Sequence, residues 1–316
     1  MATLKTPANS PSPRDDAMQL YQAFKGRGCE TSVIINILAH RNATQRGLIE
    51  QEYETKYSEE LSKRLYSELH GHLKKAVVLW MNDPVTRDAK ILAQALRGSL
   101  TDHKAVTEVI CTRTTAQLRQ IKQVYSKDYG TTPEHDIESK CYGDHKRLLL
   151  AYLNTTRYEG PEIDNVLVEA DATTLHTAIS KKHGGEDKVF IQIFSERSKA
   201  HLAALGSAYR KMYGKFLGKA IRHETSGNFE HALLTILQCS ENPAFYFAKV
   251  LRKAMKGLGT DDTTLIRIIM TRVEVDMKYI KAEYRKKYGK TLNDAVHSDT
   301  SGHYRTFLLS LLGPNH

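Results

Sequence analysis

Met255-Lys256-Gly257-Leu258-Gly259-Thr260-Asp261-Asp262 leads directly into Thr263-Thr264-Leu265-Ile266-Arg267-Ile268-Ile269-Met270-Thr271-Arg272. A turn with two glycines is followed by an apolar run at helical spacing, and an arginine closes the run. The run and its arginine occur three more times. Arg41 closes Val33-Ile34-Ile35-Asn36-Ile37-Leu38, Arg113 closes Val106-Thr107-Glu108-Val109-Ile110, and Arg197 closes Val189-Phe190-Ile191-Gln192-Ile193-Phe194. Twelve residues after each arginine stands a tyrosine (Tyr53, Tyr125, Tyr209, Tyr284), and sixteen after stands another (Tyr57, Tyr129, Tyr213, Tyr288). Thirty after stands a glycine: Gly71, Gly143, Gly227 and Gly302. Apolar triplets follow, such as Ala76-Val77-Val78 and Phe307-Leu308-Leu309. One register with several landmarks in four copies is the signature of a repeat protein.

The spacing inside each copy is helical. Paired tyrosines at i and i+4 share one helix face, which predicts core positions with the hydroxyls at its edge. Long segments rich in Leu, Ala, Ile, Lys, Arg, Glu and Gln favour helix. The expected fold is all-α, with four repeats of about 70 residues, each a bundle of roughly five short helices stacked through apolar faces. The arginine-to-arginine steps are 72, 84 and 75 residues, and the long middle step contains the turn-forming Tyr158-Glu159-Gly160-Pro161-Glu162. The expected division is a short tail over 1–14, repeats over 15–83 and 84–157, a linker over 158–168, and repeats over 169–241 and 242–316. That linker predicts two pairs of repeats around a hinge near residue 160.

The chain has 316 residues, 41% of them hydrophobic, enough for a sizeable core and against global disorder. Its net charge of +10 points to an anionic partner. The basic residues are interleaved with acids along the whole chain, with no basic arm and no nucleic-acid motif. An acidic lipid surface is therefore expected, and nucleic acid is not. The stretch before Arg14 has no apolar core of a signal peptide. No apolar run approaches the ~18 residues of a membrane span. Cys29, Cys111, Cys141 and Cys239 are widely spaced, which suits a reducing compartment. A cytoplasmic protein that reaches membranes reversibly is the expectation.

On these residues the chain resembles the annexins, most closely plant annexins, from about Asp15 to Gly313. The marker is Gly-x-Gly, often with Thr and an acid behind it, and an acid forty residues past the second glycine. It stands here as Gly257-Leu258-Gly259-Thr260 with Asp299, and as Gly26-Arg27-Gly28 with Glu68. The resemblance implies calcium-dependent binding to acidic phospholipid through convex-face loops in the first and fourth repeats. It implies as ligands the carbonyls of Met255, Gly257 and Gly259 with the Asp299 carboxylate, and those of Phe24, Gly26 and Gly28 with Glu68. Leu258 is then placed to enter the bilayer, and Arg27 to contact a phosphate.

The chemistry agrees with that implication. Calcium takes six to eight oxygens. A loop without carboxylates before Asp261 must supply carbonyls, and glycine lets them converge by taking positive φ at little cost. Asp261, Asp262 and Glu30 stand at helix starts, where complementing the helix N-terminus is the expected role. The register positions of the second repeat hold Gly98, Leu100 and Lys140, and a lysine in place of the acid removes that site. Those of the third hold Lys182, Gly184 and Glu224.

Other signals are weaker. His40 matches a histidine linked in plant annexins to peroxidase activity, but a structural histidine at a helix end is expected. Ile266-Arg267-Ile268 matches a triplet proposed for F-actin binding, which makes F-actin a further candidate partner, yet the two isoleucines read as core. Asp299-Thr300-Ser301-Gly302 resembles the DxxG of GTPases without the phosphate loop such proteins need. Cys111 and Cys239 read as inert core thiols. No catalytic constellation is found, so the protein is not expected to be an enzyme. A calcium-independent helical scaffold for protein partners and a weak haem peroxidase are the competing readings.

Overall fold

The residue after the closing arginine starts the next helix. Asn42 and Thr114 each accept from the backbone three residues on, and Gln45 and Gln117 return the bond, so both form capping boxes. Ser198 caps the corresponding helix of the third repeat. The arginine is thereby held in a tight corner between two helices.

The computed structural model describes residues 1–7, 11–25, 28–181 and 186–315. Among the described residues it forms twenty α-helices and no strand. The first repeat comprises α1 (Pro13–Ala23), α2 (Thr31–Leu38), α3 (Ala43–Tyr57), α4 (Leu61–Glu68) and α5 (Gly71–Met81). The second comprises α6 (Pro84–Arg97), α7 (His103–Thr112), α8 (Thr115–Tyr129), α9 (Pro133–Lys140) and α10 (Gly143–Asn154). The third comprises α11 (Asn165–Lys181), α12 (Glu186–Glu196), α13 (Lys199–Tyr213), α14 (Leu217–Glu224) and α15 (Gly227–Glu241). The fourth comprises α16 (Pro243–Ala254), α17 (Asp262–Arg272), α18 (Met277–Tyr288), α19 (Leu292–Asp299) and α20 (Gly302–Leu312). None of these helices is long and apolar enough to cross a membrane.

Each landmark has one structural job. Tyr53, Tyr125, Tyr209 and Tyr284 are buried. Each packs against its i+4 partner with ring centroids 5.1, 5.1, 5.1 and 5.0 Å apart, the same contact four times over. Gly71, Gly143, Gly227 and Gly302 open the last helix of each repeat with φ of 59°, 57°, 63° and 59°. A side chain at this sharp entry would be strained, which explains the glycine at every copy.

The closing arginine is paired with an aspartate in three repeats, buried at Arg41 and Arg113 and half-buried at Arg197. Arg41 donates to Asp16 at 2.6 and 2.9 Å, Arg113 to Asp88 at 2.6 and 2.8 Å, and Arg197 to Asp171 at 2.7 and 3.1 Å. Each aspartate lies on the first helix of its repeat, so the pair ties that helix to the central corner. Asp88 holds the Arg113 guanidinium protonated, pushing its pKa above the ordinary arginine value against the effect of burial. The fourth repeat is built otherwise. Arg272 pairs with Asp276 one turn on, at 2.8 Å, and lies 4.4 Å from the ring centre of Phe247. Phe247 stands where the second repeat has Asp88.

Two compact units result. One contains residues 1–87 and 247–316, the first repeat with the fourth. Its centre is Trp80, between the guanidinium groups of Arg46 at 3.6 Å and Arg87 at 4.8 Å, with its indole N–H bonded to Leu38 O at 2.8 Å. Arg46 also pairs with Glu274 of the fourth repeat at 3.3 Å. Burial and the neighbouring Arg87 push its pKa down to about 10. The N-terminal residues join this unit: Thr3 N–H bonds Val273 O at 2.9 Å, and Lys278 N–H bonds Met1 O at 3.0 Å.

The other unit contains residues 88–246, the second repeat with the third, with α7 and α10 packed on α15 and α10 on α12. The expected hinge near residue 160 is therefore not where the compact units separate. That stretch lies inside the second unit and is tethered to it. Buried Arg157 donates to Tyr152 O and stacks 3.6 Å from the Tyr152 ring centre, while Glu159 accepts from Thr115 N at 2.5 Å. Turn residues marked a change of direction there, and the apolar helix faces decided which repeats associate.

Removing one member of a buried arginine–aspartate pair strands the other. Asp88→Ala is expected to lower the unfolding free energy by about 3–5 kcal/mol, read by urea denaturation. A loss below about 1 kcal/mol, the value of an exposed pair, would show that the pair does not hold the repeat together.

Candidate metal centres

In the fourth repeat the chain leaves α16 and turns out into solvent. Met255 is still buried. Gly257 and Gly259 take φ of 121° and 86°, conformations a side chain would resist. Leu258 between them is 109% exposed, its whole side chain in solvent. The loop closes when Asp261 N–H bonds Ala254 O at 2.8 Å. The same bond recurs as Glu30 N–H to Ala23 O at 2.9 Å and Asp102 N–H to Ala95 O at 2.9 Å. A common clasp thus supports the loops of three repeats, whatever their side chains.

The distant acid comes to this loop. Asp299 ends α19 and is half-buried. The Thr260 hydroxyl lies 3.2 Å from its carbonyl oxygen and 3.3 Å from its carboxylate. Asp261 does what its helix-start position predicts, accepting from Thr264 N–H at 3.0 Å as the cap of α17. Asp262 turns the other way, its carboxylate 3.4 Å from His72 Nε2. Neither residue is therefore needed to explain the site. Asp299 is one hard carboxylate beside a loop of carbonyls, a donor set that suits calcium.

The first repeat brings corresponding groups together with one addition. Phe24 is buried at the end of α1, Gly28 has φ 109°, and Glu68 ends α4 half-buried. Gly26 and Arg27 lie outside the described residues. Arg64, one turn before Glu68, reaches both expected ligands. Its guanidinium lies 3.0 Å from the Glu68 carboxylate and donates to Phe24 O at 3.3 Å. A fixed positive charge thus occupies the neighbourhood of two oxygens assigned to a cation. The sequence reading missed this residue, although an i,i+4 Arg–Glu pair on one helix was there to be seen. The same register holds Asp136, Ala220 and Ala295 in the other repeats, so the arginine is peculiar to the first.

The remaining sites follow their side chains. Leu100 is 86% exposed in the second-repeat loop, where Lys140 ends α9 in place of the acid. Lys182 and Gly184 lie outside the described residues, and Glu224 is 2.5 Å from His223 Nδ1. His40 Nδ1 sits 2.8 Å from Asn36 O, the structural role expected of it. Ile266, Arg267 and Ile268 are all buried, so that triplet offers no surface to a filament. Cys111 and Cys239 are buried, and desolvation raises the Cys111 thiol far above its usual range.

A family model described as Annexin matches residues 15–80, 87–152, 170–236 and 246–311. Annexin D5 of Arabidopsis thaliana is 71% identical over 315 residues, covering 100% of both chains. Among solved structures, annexin III superposes with a TM-score of 0.96 at 35% identity, covering 100% of this chain and 98% of that one. A calcium-bound annexin (Sm)1 crystal structure superposes with a TM-score of 0.86 at 29% identity, covering 100% and 94%.

Arg64 should oppose a cation held by Phe24 and Glu68. A unit charge a few ångströms away in a wet site is worth about 1 kcal/mol, or roughly fivefold in affinity. Arg64→Ala is expected to tighten first-repeat calcium binding by about that factor, measured calorimetrically in an Asp299→Asn background. Unchanged or weaker binding would mean that the guanidinium does not compete.

Proposed function

The chain belongs to the annexin family, with its plant members, a family known for calcium-dependent phospholipid binding, and we propose that it docks on acidic membranes through calcium held in its fourth and first repeats. The observation that carries this reading is the meeting of Thr260 with Asp299, which joins a glycine loop to a carboxylate forty residues away in sequence. Calcium is the ion of this family, and the residues here fit it: the expected ligands are the carbonyls of Met255, Gly257 and Gly259 with Asp299. The weaker partner site is Phe24, Gly26, Gly28 and Glu68, with Arg64 beside it. Annexins are in general membrane-binding proteins rather than enzymes.

One carboxylate and neutral carbonyls leave a bound ion with net positive charge and open positions. Such a site alone is weak, on the order of 10⁻⁴–10⁻³ M, like other low-charge calcium modules. A lipid phosphate can complete it, so lipid and calcium each raise the affinity for the other by the same factor. Two such sites on one chain add avidity. Leu258, fully in solvent between the two glycines, is placed to bury its side chain among lipid tails. Surface Lys and Arg contribute about 1 kcal/mol each near an anionic leaflet, which fits the +10 net charge.

Co-sedimentation with phosphatidylserine vesicles, with calcium and with chelator, tests the reading. The protein is expected to pellet only with calcium. Asp299→Asn should reduce binding more than Glu68→Gln, and the double variant should abolish it. Calcium-dependent binding that survives the double variant would overturn the site assignment, and equal pelleting in chelator would overturn the function. Leu258→Asp is expected to weaken vesicle affinity by about tenfold or more, from the ~1.5 kcal/mol of one buried leucine. Its calcium affinity without lipid should not change.

A further inference from the structure

We propose that His103, Cys141 and His145 form a second metal site, distinct from the calcium loops, that binds a zinc-class divalent ion in the second repeat. Three helix ends converge there. His103 opens α7, Cys141 caps the end of α9, and His145 lies in the first turn of α10. One donor atom from each of the three lies within 4.8 Å of the others. Cys141 Sγ is 3.8 Å from His103 Nδ1, and a tetrahedral zinc with ordinary bond lengths needs a sulfur–nitrogen edge of about 3.6 Å. The longest separation must close by roughly an ångström, within reach of a half-buried His103 ring that can turn about its side-chain bonds.

The chemistry selects the ion. A thiolate and two imidazoles suit zinc and its neighbours, whereas calcium and magnesium demand oxygen. Neutral imidazole and thiolate are the ligating forms. The Thr107 hydroxyl lies 2.9 Å from His145 Nε2 and fixes the ring, as outer partners do at metal centres. A cavity of about 430 Å³ adjoins the cluster, lined by His103 and His145 and by Asp144, Asp187 and Glu224. It supplies an entry path of favourable charge and room for a water or an exogenous ligand at a fourth position.

The repeat register argues that the cluster is more than packing. The corresponding positions hold Thr31, Leu69 and Leu73 in the first repeat, and Asp187, Thr225 and Phe229 in the third. In the fourth they hold Asp262, Thr300 and Tyr304, where the Asp262 carboxylate lies 3.4 Å from His72 Nε2 and the Thr300 hydroxyl donates to Val296 O at 2.6 Å. In these three repeats the positions are filled by aliphatic, aromatic and hydroxyl side chains, with a carboxylate at the first of them in the third and fourth repeats. Only the second repeat replaces all three with metal-ligating groups, and it is the repeat where Lys140 has removed the calcium acid.

Cobalt(II) titration of the full-length, reduced protein tests this, because cobalt reports its ligands optically where zinc is silent. The expected result is one equivalent bound with a thiolate-to-cobalt charge-transfer band. Stoichiometric zinc should abolish the band, and millimolar calcium should not. Cys141→Ser should lose it, while Cys29→Ser, which removes a half-exposed thiol elsewhere, should keep it. His103→Gln, at a half-buried position that tolerates change, should weaken zinc binding tenfold or more. No thiolate band in the wild-type protein would overturn the proposal, as would a band that persists unchanged in Cys141→Ser. Zinc binding unaltered by His103→Gln would remove His103 from the site.

Discussion

An arginine held by a buried aspartate is the interaction on which three of the four repeats turn. Two charges taken out of water are tolerable only when each satisfies the other with good geometry. The paired bonds of Arg41, Arg113 and Arg197 to Asp16, Asp88 and Asp171 meet that condition at 2.6–3.1 Å. The pair joins the first helix of a repeat to the corner between its second and third helices. The fourth repeat shows the requirement from the other side. With Phe247 in the aspartate's place, Arg272 finds its carboxylate one turn away in Asp276 and lays its guanidinium against the new ring.

With those helices fixed, the loops that leave them are fixed as well. The same backbone clasp closes the loop in the first, second and fourth repeats, and the acid of the calcium register ends the fourth helix of its bundle in each copy that keeps it. A scaffold of this kind separates folding from chemistry. Side chains at the loop positions can change without disturbing the bundle, and they have changed. The fourth repeat keeps the glycines, the acid and an exposed leucine. The first adds Arg64 between two of its oxygens. The second exchanges the acid for Lys140 and gathers two histidines and a cysteine next to it. Four copies of one frame thus offer sites of different character.

Much of this was legible before any coordinates. Arginine, tyrosine and glycine recurring at fixed offsets marked four helical units, and each landmark proved to be a packing or backbone necessity. The forty-residue spacing that pairs the Met255–Asp262 loop with Asp299 was legible too, and Thr260 meets Asp299 in the fold. What escaped were contacts between positions that no local rule joins. The aspartate partners lie 25 or 26 residues from their arginines. His103 and Cys141 lie 38 apart. Arg64 is the exception, because its pairing with Glu68 at i,i+4 follows from helix periodicity alone.

The sequence by itself determined the helical units and their number, because helix periodicity, capping and glycine conformation are local properties written within a turn or two of chain. The tertiary structure alone decided that the first repeat joins the fourth and the second joins the third. It also decided that the Tyr158–Glu162 stretch is tethered within a unit rather than set between units, and that a cysteine and two histidines share one corner of the second repeat. Those outcomes depend on which apolar helix faces bury one another, and helices that meet across such faces can lie anywhere in the chain.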